Sequence, residues 1–308
     1  YEDRRGNIWI GTDGGGINLF SPHTEKFTHY SSTWGDKVAF ISGFTPGKLL
    51  ISLFSKGVFV FSPATGEKQP FTIIDKETTT RLCNRGKSVN LYQNTPNTVL
   101  FLGDHIYQYH LKEKKFSTIT EEEGKDIVGT LVPFDHQENL TYINDIKHIY
   151  ELDDQTSRLK TVFECYTDTV ISSVSHDEQG HFWIGSNFGL IHYDPVLKSR
   201  TLVPTNLFTE INMVLCDQKG KVWIGVDNML FAYFIKEQKF VLFGESNGAI
   251  QNEYLPNARL VNEQGDAYIG GVKGMLRIDG QLLLNTSEMP ELQLLDITIN
   301  GESANHEW

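Results

Sequence analysis

Along the chain, apolar residues come in runs of five or six, alternating or continuous, and polar, glycine-bearing turns close off each run. GNIWIGTDGGG (6–16), GHFWIGSNFG (180–189), GKVWIGVDN (220–228) and GDAYIGGVKG (265–274) share one design of turn, short apolar strand and tight corner. A second strand follows each, ending in an aromatic or apolar pair: INLFSP, LIHYDP, LFAYFI and MLRID. A helix would repeat apolar residues at i, i+3 and i+4, and these segments do not. The clusters that lead into the four copies are DRRG (3–6), DEQG (177–180), DQKG (217–220) and NEQG (262–265). Asp or Asn first and Gly fourth is the signature of a type I β-turn, in which the first side chain caps its own backbone.

Three weaker copies lie between: GKLLISLFSKGVFVFSP (47–63), NTVLFLGDHIYQYH (97–110) and ENLTYINDIKHIYEL (138–152). NTPN (94–97) and DHQE (135–138) stand where leading turns belong. With Trp9 as anchor, the equivalent positions are Leu50, Leu100, Thr141, Trp183, Trp223 and Tyr268, at steps of 41, 50, 41, 42, 40 and 45 residues. A strand-only unit of this period matches a propeller blade. In the clearest unit the four strands are 170–176, 181–185, 189–194 and 199–203. The expected fold is all-β: a seven-bladed β-propeller of four-stranded antiparallel blades over residues 1–288, its first blade missing most of the inner strand. PELQLLDITINGESANHEW (290–308) leaves the pattern with a Pro-led strand and an Asn300-Gly301 turn. Residues 289–308 therefore read as the start of a C-terminal β-sandwich domain.

Composition agrees with this picture. The chain has 308 residues, 12% of them aromatic, and 27 glycines. A closed ring of blades removes the sheet edges that invite aggregation. The net charge of −12 argues against nucleic acid as a partner and disfavours a heavily sulfated or uronate-rich ligand. No apolar run approaches the ~18 residues of a membrane span. Cys83, Cys165 and Cys216 have no CxxC spacing and read as small buried hydrophobes, with a single disulfide as the alternative.

Candidate chemistry is sparse. Gly14-Gly15-Gly16 follows a strand but opens no helix, so it is a turn and not a phosphate cradle. Trp9, Trp183 and Trp223 share one strand register and read as packing between blades. Trp34 sits in a polar loop, SSTWGDK, where its flat face suits a pyranose ring. RLCNRG (81–86) places Arg81 and Arg85 in the longest inter-blade segment, and planar guanidinium groups suit carboxylates and hydroxyls. QNEY (251–254) offers Asn252 and Glu253, which hold a turn or bind hydroxyls. Asp13, His105, Asn187 and Asn228 fall near corners; Asn84, Asn206 and Glu210 fall in connections between blades, which crowd one face of a propeller. The expected ligand-binding residues are Trp34, Arg81, Arg85, Asn252 and Glu253. His105/His110 and His176/His181 are five apart, on opposite faces of a strand, and there is no HExxH motif or Cys/His cluster. No metal, catalytic residue or cofactor is expected. SHDEQGHFW (175–183) is similar to the sialidase Asp-box but has one residue too many between Asp and Gly, and no GxSxG elbow occurs.

The repeats resemble the two-component regulator propeller repeats of bacterial hybrid two-component sensors, known best from Bacteroides-type bacteria. GESNGAIQNEYLPNARLVNEQGDAYIGGVKGMLRID (244–279) is similar to the final blade of the second propeller in those sensors. PELQLLDITINGE is similar to the entry into their triple-tyrosine immunoglobulin-like domain. The resemblance implies a periplasmic ligand sensor, part of a membrane-anchored hybrid histidine kinase and a homodimer. It implies a preceding propeller and a following immunoglobulin-like domain in the same chain, and an oligosaccharide ligand from complex glycans. A glycan-acting enzyme predicts instead a deep axial pocket with two carboxylates, or a carboxylate–histidine pair, converging. A protein–protein scaffold predicts a broad exposed apolar patch.

Overall fold

A computed structural model of the chain describes residues 8–280 except 13–15, 21–26, 32–36, 46, 54–55, 72–89, 103–105, 120–130, 138–139, 167, 218, 245–247 and 250, together with 298–299 and 302–303. Strands β1 (Ile8–Thr12) and β2 (Gly16–Phe20) pair with each other, and β3 (Phe27–Ser31) follows. Blade I comprises β4 (Val38–Gly43), β5 (Leu49–Leu53), β6 (Gly57–Ser62) and β7 (Glu67–Pro70). Blade II comprises β8 (Asn90–Thr95), β9 (Thr98–Leu102), β10 (Ile106–His110) and β11 (Lys115–Ile119). Blade III is β12 (Val132–Gln137), β13 (Leu140–Asn144), β14 (His148–Asp153) and β15 (Arg158–Glu164). Blade IV is β16 (Ile171–His176), β17 (Phe182–Ser186), β18 (Gly189–Asp194) and β19 (Ser199–Leu202). Blade V is β20 (Met213–Cys216), β21 (Lys221–Val226), β22 (Met229–Phe234) and β23 (Lys239–Phe243). Blade VI has β24 (Tyr254–Val261), β25 (Ala267–Gly271) and β26 (Gly274–Ile278), and takes β3 as its fourth strand, with Leu276 opposite His29. A last hairpin pairs β27 (Thr298–Ile299) with β28 (Glu302–Ser303), either side of Asn300-Gly301.

The first strands of the six sheets touch in order, and β24 returns to β4, which closes the ring. The ring therefore has six four-stranded blades and not the expected seven. The sequence count gives one unit to each anchor, but the first and last repeats are both incomplete. β3, counted with Trp9, fills the open edge of β26, and β1–β2 remains a separate two-stranded sheet among the described residues. The weak middle repeats keep all four strands.

Six apolar clusters, one at each junction, hold neighbouring blades together. One joins blade I to II through Leu50, Phe101 and Tyr109; another closes VI onto I through Val38, Ile41, Ala258 and Tyr268. Because the blades are covered on both faces, the second strands of blades I, II, IV and VI (β5, β9, β17 and β25) are buried throughout and show no alternation. Trp183 and Trp223 are 3% and 1% exposed and pack at the IV–V and V–VI junctions, as their shared register predicts.

The leading turns follow the expected chemistry. Asp177 Oδ1 accepts the N–H groups of Gln179 and His181; Asp217 Oδ1 accepts those of Lys219 and Lys221; Asn262 Oδ1 accepts those of Gln264 and Asp266. Gly180, Gly220 and Gly265 have φ of 86°, 82° and 84°, where a side chain is strained. The third turns carry a further repeat that the sequence hides: Gly66, Lys114, Ser157, Lys198 and Gln238 all have positive φ at the same point of the turn.

Candidate ligand-binding site

An antiparallel meander puts the first and third turns of every blade on one face of the ring, and the second turns and inter-blade connections on the other. A cavity of about 1050 Å³ opens on the first of these faces, across blades VI, I and II. Tyr30, Phe44, Tyr92 and Tyr268 give it aromatic walls; Lys48, Arg277, Asn262 and Gln264 give it polar ones. It is a broad depression open to solvent, with mixed apolar and polar lining.

The polar wall is pre-organised. Arg277 Nε and NH2 donate to Asp266 Oδ2 at 3.0 and 2.7 Å, and the Gly280 N–H donates to Asp266 Oδ1 at 2.9 Å. Burial alone would raise the Asp266 carboxyl, but the Gly280 N–H and the Arg277 guanidinium more than offset it and hold the acid below its usual range. Tyr30 Oη donates to the Pro63 carbonyl at 3.0 Å, and its ring meets Phe61 edge-on at 5.0 Å. Burial pushes the Tyr30 and Tyr268 phenols up, so both remain neutral donors and acceptors at physiological pH.

Of the residues expected to bind ligand, Trp34, Arg81 and Arg85 lie outside the described residues, as do Asp13, Asn84 and His105. Asn252 and Glu253 are in place, on the face opposite the cavity. Asn252 is 1% exposed; its Oδ1 accepts the Lys273 N–H, and its own N–H donates to Asn228 O. At the same corner the Glu253 backbone carbonyl accepts the Val272 N–H, while its side chain is exposed. Through these contacts Asn252 and Glu253 hold the turn. Asn187 likewise braces a loop, through Val170 N–H and Asp168 O.

Two carboxylate–histidine groupings escaped the sequence, because each depends on a cross-strand or turn placement. In the second turn of blade III, Asp145 lies 3.1 Å from His148 Nδ1 and accepts the Tyr150 hydroxyl at 2.8 Å. In blade IV, His181, just before β17, lies diagonally beside His192 of β18 with Nδ1···Nε2 at 3.0 Å, while His176 stacks on Tyr142 in the III–IV core. Burial first, and the neighbouring His181 second, push the His192 imidazole down from its ordinary value. Neither grouping lines the cavity, where Glu263 is the one carboxylate among the described residues.

Cys165 and Cys216 are free, and burial pushes the Cys165 thiol up to about 11. At neutral pH the thiolate, which is the reactive form, is then scarce. Cys165 is expected to alkylate with iodoacetamide at least ~10-fold more slowly than a free cysteine peptide. Equal rates, read by peptide mass spectrometry, would contradict that environment.

Comparison with known proteins points the same way as the fold. The family described as two component regulator propeller matches residues 1–14. The chain superposes on the extracellular domain of the hybrid two-component system BT3049 from B. thetaiotaomicron with a TM-score of 0.52 at 18% identity, over 99% of this chain and 49% of that one. The extracellular domain of the hybrid system BT4673 from the same organism gives 0.55 at 15% identity, over 90% and 37%. YCF48 from Cyanidioschyzon merolae gives 0.60 at 9% identity, over 82% and 98%. The chain thus spans half or less of the two bacterial structures, and at these identities the likeness shows the fold. No curated protein sequence matches.

Proposed function

We propose that this chain is a ligand-sensing, signal-transmitting propeller from the extracytoplasmic, periplasmic part of a hybrid histidine kinase–response regulator. The observation that carries the reading is the cavity: aromatic walls and a braced guanidinium, in a fold shared with extracellular domains of two such systems. Aromatic faces match the C–H faces of pyranose rings, while Arg277, Asn262 and Gln264 suit hydroxyls. The ligand class we infer is a glycan-derived oligosaccharide, neutral or weakly acidic. The segment itself is not an enzyme in this reading, and residues 289–308 begin an immunoglobulin-like domain. A ligand acts by biasing the relative orientation of propellers in a homodimer, and the following domain passes that bias to the membrane.

A thermal-shift screen against oligosaccharides tests this. A ligand that binds only the folded chain adds ~2.7 kcal/mol at a hundredfold excess over its Kd. The expected result is a selective rise in midpoint without turnover, abolished by Arg277→Ala. No shift with any sugar favours the scaffold reading, and turnover favours a glycan-acting enzyme.

A further inference from the structure

The histidine cluster of blade IV plays no part in the cavity, yet it has the make-up of a coordination site. Asp177, His181 and His192 converge there, each offering one ligand atom, and these atoms all lie within 4.8 Å of one another. They come from different elements: the first turn supplies Asp177 and His181, and β18 supplies His192. The two ring nitrogens are 3.0 Å apart and the carboxylate oxygen is 3.9 Å from His181 Nδ1. Two imidazole nitrogens bound to one zinc ion at ~2.0–2.1 Å and a tetrahedral angle stand ~3.3 Å apart. The pair needs only a few tenths of an ångström of movement to share an ion.

The outer partners are also present. A ligating histidine is oriented by a carboxylate on its other ring nitrogen, and a ligating carboxylate by hydrogen bonds of its own. Asp194 Oδ2 stands 3.6 Å from His181 Nε2, on the far side of that ring. Asp194 is itself fixed by the N–H groups of Val196 and Leu197 in the third turn. Trp183 Nε1 donates to Asp177 Oδ2 at 2.8 Å, and the Gln179 and His181 N–H groups hold Asp177 Oδ1. The His192 ring packs on the Trp183 indole at 4.5 Å between centroids. The His181 side chain is 26% exposed and that of Asp177 9%, so one side of the cluster is open to solvent for a water ligand.

We propose that blade IV binds one divalent transition-metal ion of the zinc class through Asp177, His181 and His192, with Asp194 as the orienting carboxylate. The carboxylate is a hard donor, but the two imidazoles are borderline ones, and two nitrogen ligands of three favour Zn²⁺ and its neighbours over the all-oxygen preference of Ca²⁺ and Mg²⁺. The ion ties the first turn of the blade to its third strand, and Asp194 extends the tie to the third turn. This site is independent of the oligosaccharide reading and stands or falls separately.

Calorimetric titration of the metal-stripped chain with Zn²⁺ alone at neutral pH is the test. One saturable equivalent is expected, together with a rise in the unfolding midpoint. Asp194→Asn should weaken binding at least ~10-fold and His192→Gln more than that, with Ca²⁺ failing to compete. Co²⁺ reads the unaltered chain without any substitution. Visible bands of a four- or five-coordinate ion and quenching of Trp183 fluorescence are expected. No saturable Zn²⁺ uptake, uptake unchanged in a folded His181→Gln/His192→Gln variant, or a Co²⁺ spectrum like that of the aqueous ion would each overturn the proposal.

Discussion

Replacing Arg259 by methionine is expected to destabilise the propeller by about 3 kcal/mol or more, a fall in midpoint of roughly 6 °C or more for a chain of this size. Arg259 is on β24, 8% exposed, and its guanidinium reaches across three inner strands. Nε donates to Val214 O on β20 at 2.5 Å, NH1 to Pro256 O on β24 at 2.6 Å, and NH2 to Val174 O on β16. Inner strands of neighbouring blades do not form a hydrogen-bonded ladder, so these carbonyls need donors from elsewhere. Neighbouring groups meet the same need with serine: Val214 N–H donates to Ser173 Oγ and Cys216 N–H to Ser175 Oγ.

Burial pushes the Arg259 guanidinium down to about 10, so it stays charged at neutral pH at some desolvation cost. Methionine removes that cost but takes the guanidinium from two buried acceptors, Val214 O and Val174 O, at ~1–3 kcal/mol each, while Pro256 O keeps the Ser173 hydroxyl; the two acceptors decide the sign. Arg259→Lys should fall between, because one ammonium cannot span three strands. Urea unfolding checks both variants. A loss below about 1 kcal/mol for the methionine variant would mean that water takes over the guanidinium's role.

Adding a single methyl group at Gly270 is expected to cost about 2 kcal/mol, and Gly270→Val more. The glycine that follows Trp183-Ile184, Trp223-Ile224 and Tyr268-Ile269 is not a turn residue. It marks where the inner strand of the next blade crosses. A Cβ at Gly270 would meet Val38 Cγ1 and Ala258 Cβ at 2.8 Å; at Gly185, Ile211 Cγ2 at 2.7 Å; at Gly225, Tyr254 Cβ at 3.0 Å. Gly270 carries the largest effect because Val38 sits at the VI–I junction that closes the ring. Gly43 is the control: it is exposed, nothing lies within 4 Å of an added Cβ, and Gly43→Ala should stay within ~0.5 kcal/mol of the parent. Equal midpoints for the Gly270 and Gly43 alanine variants would remove the crossing argument.

What could be read without coordinates is local or periodic. Asp177, Asp217 and Asn262 each cap their own turn, so their identity and the glycine three residues on announce the geometry. Trp183 and Trp223 recur in one register, and a recurring aromatic finds a recurring core. The candidate site was less legible. Tyr30, Tyr92, Tyr268 and Arg277 look like ordinary strand residues and share a cavity only because blades VI, I and II are neighbours in the ring. His181 pairs in sequence spacing with His176, but the β17–β18 register puts Trp183 opposite His192, and His181 comes to lie diagonally beside that histidine.

By itself, then, the sequence determined an all-β chain of repeated four-stranded units, their turns and their Trp-centred cores, because neighbouring residues encode them. The tertiary structure decided that the ring has six blades and that Phe27–Ser31 completes the last of them. It also decided that Arg259 stitches three inner strands and that a cavity opens on the face away from the inter-blade connections. Closure depends on which distant strand fills an open edge, and that is a competition between non-local pairings to which no local pattern points.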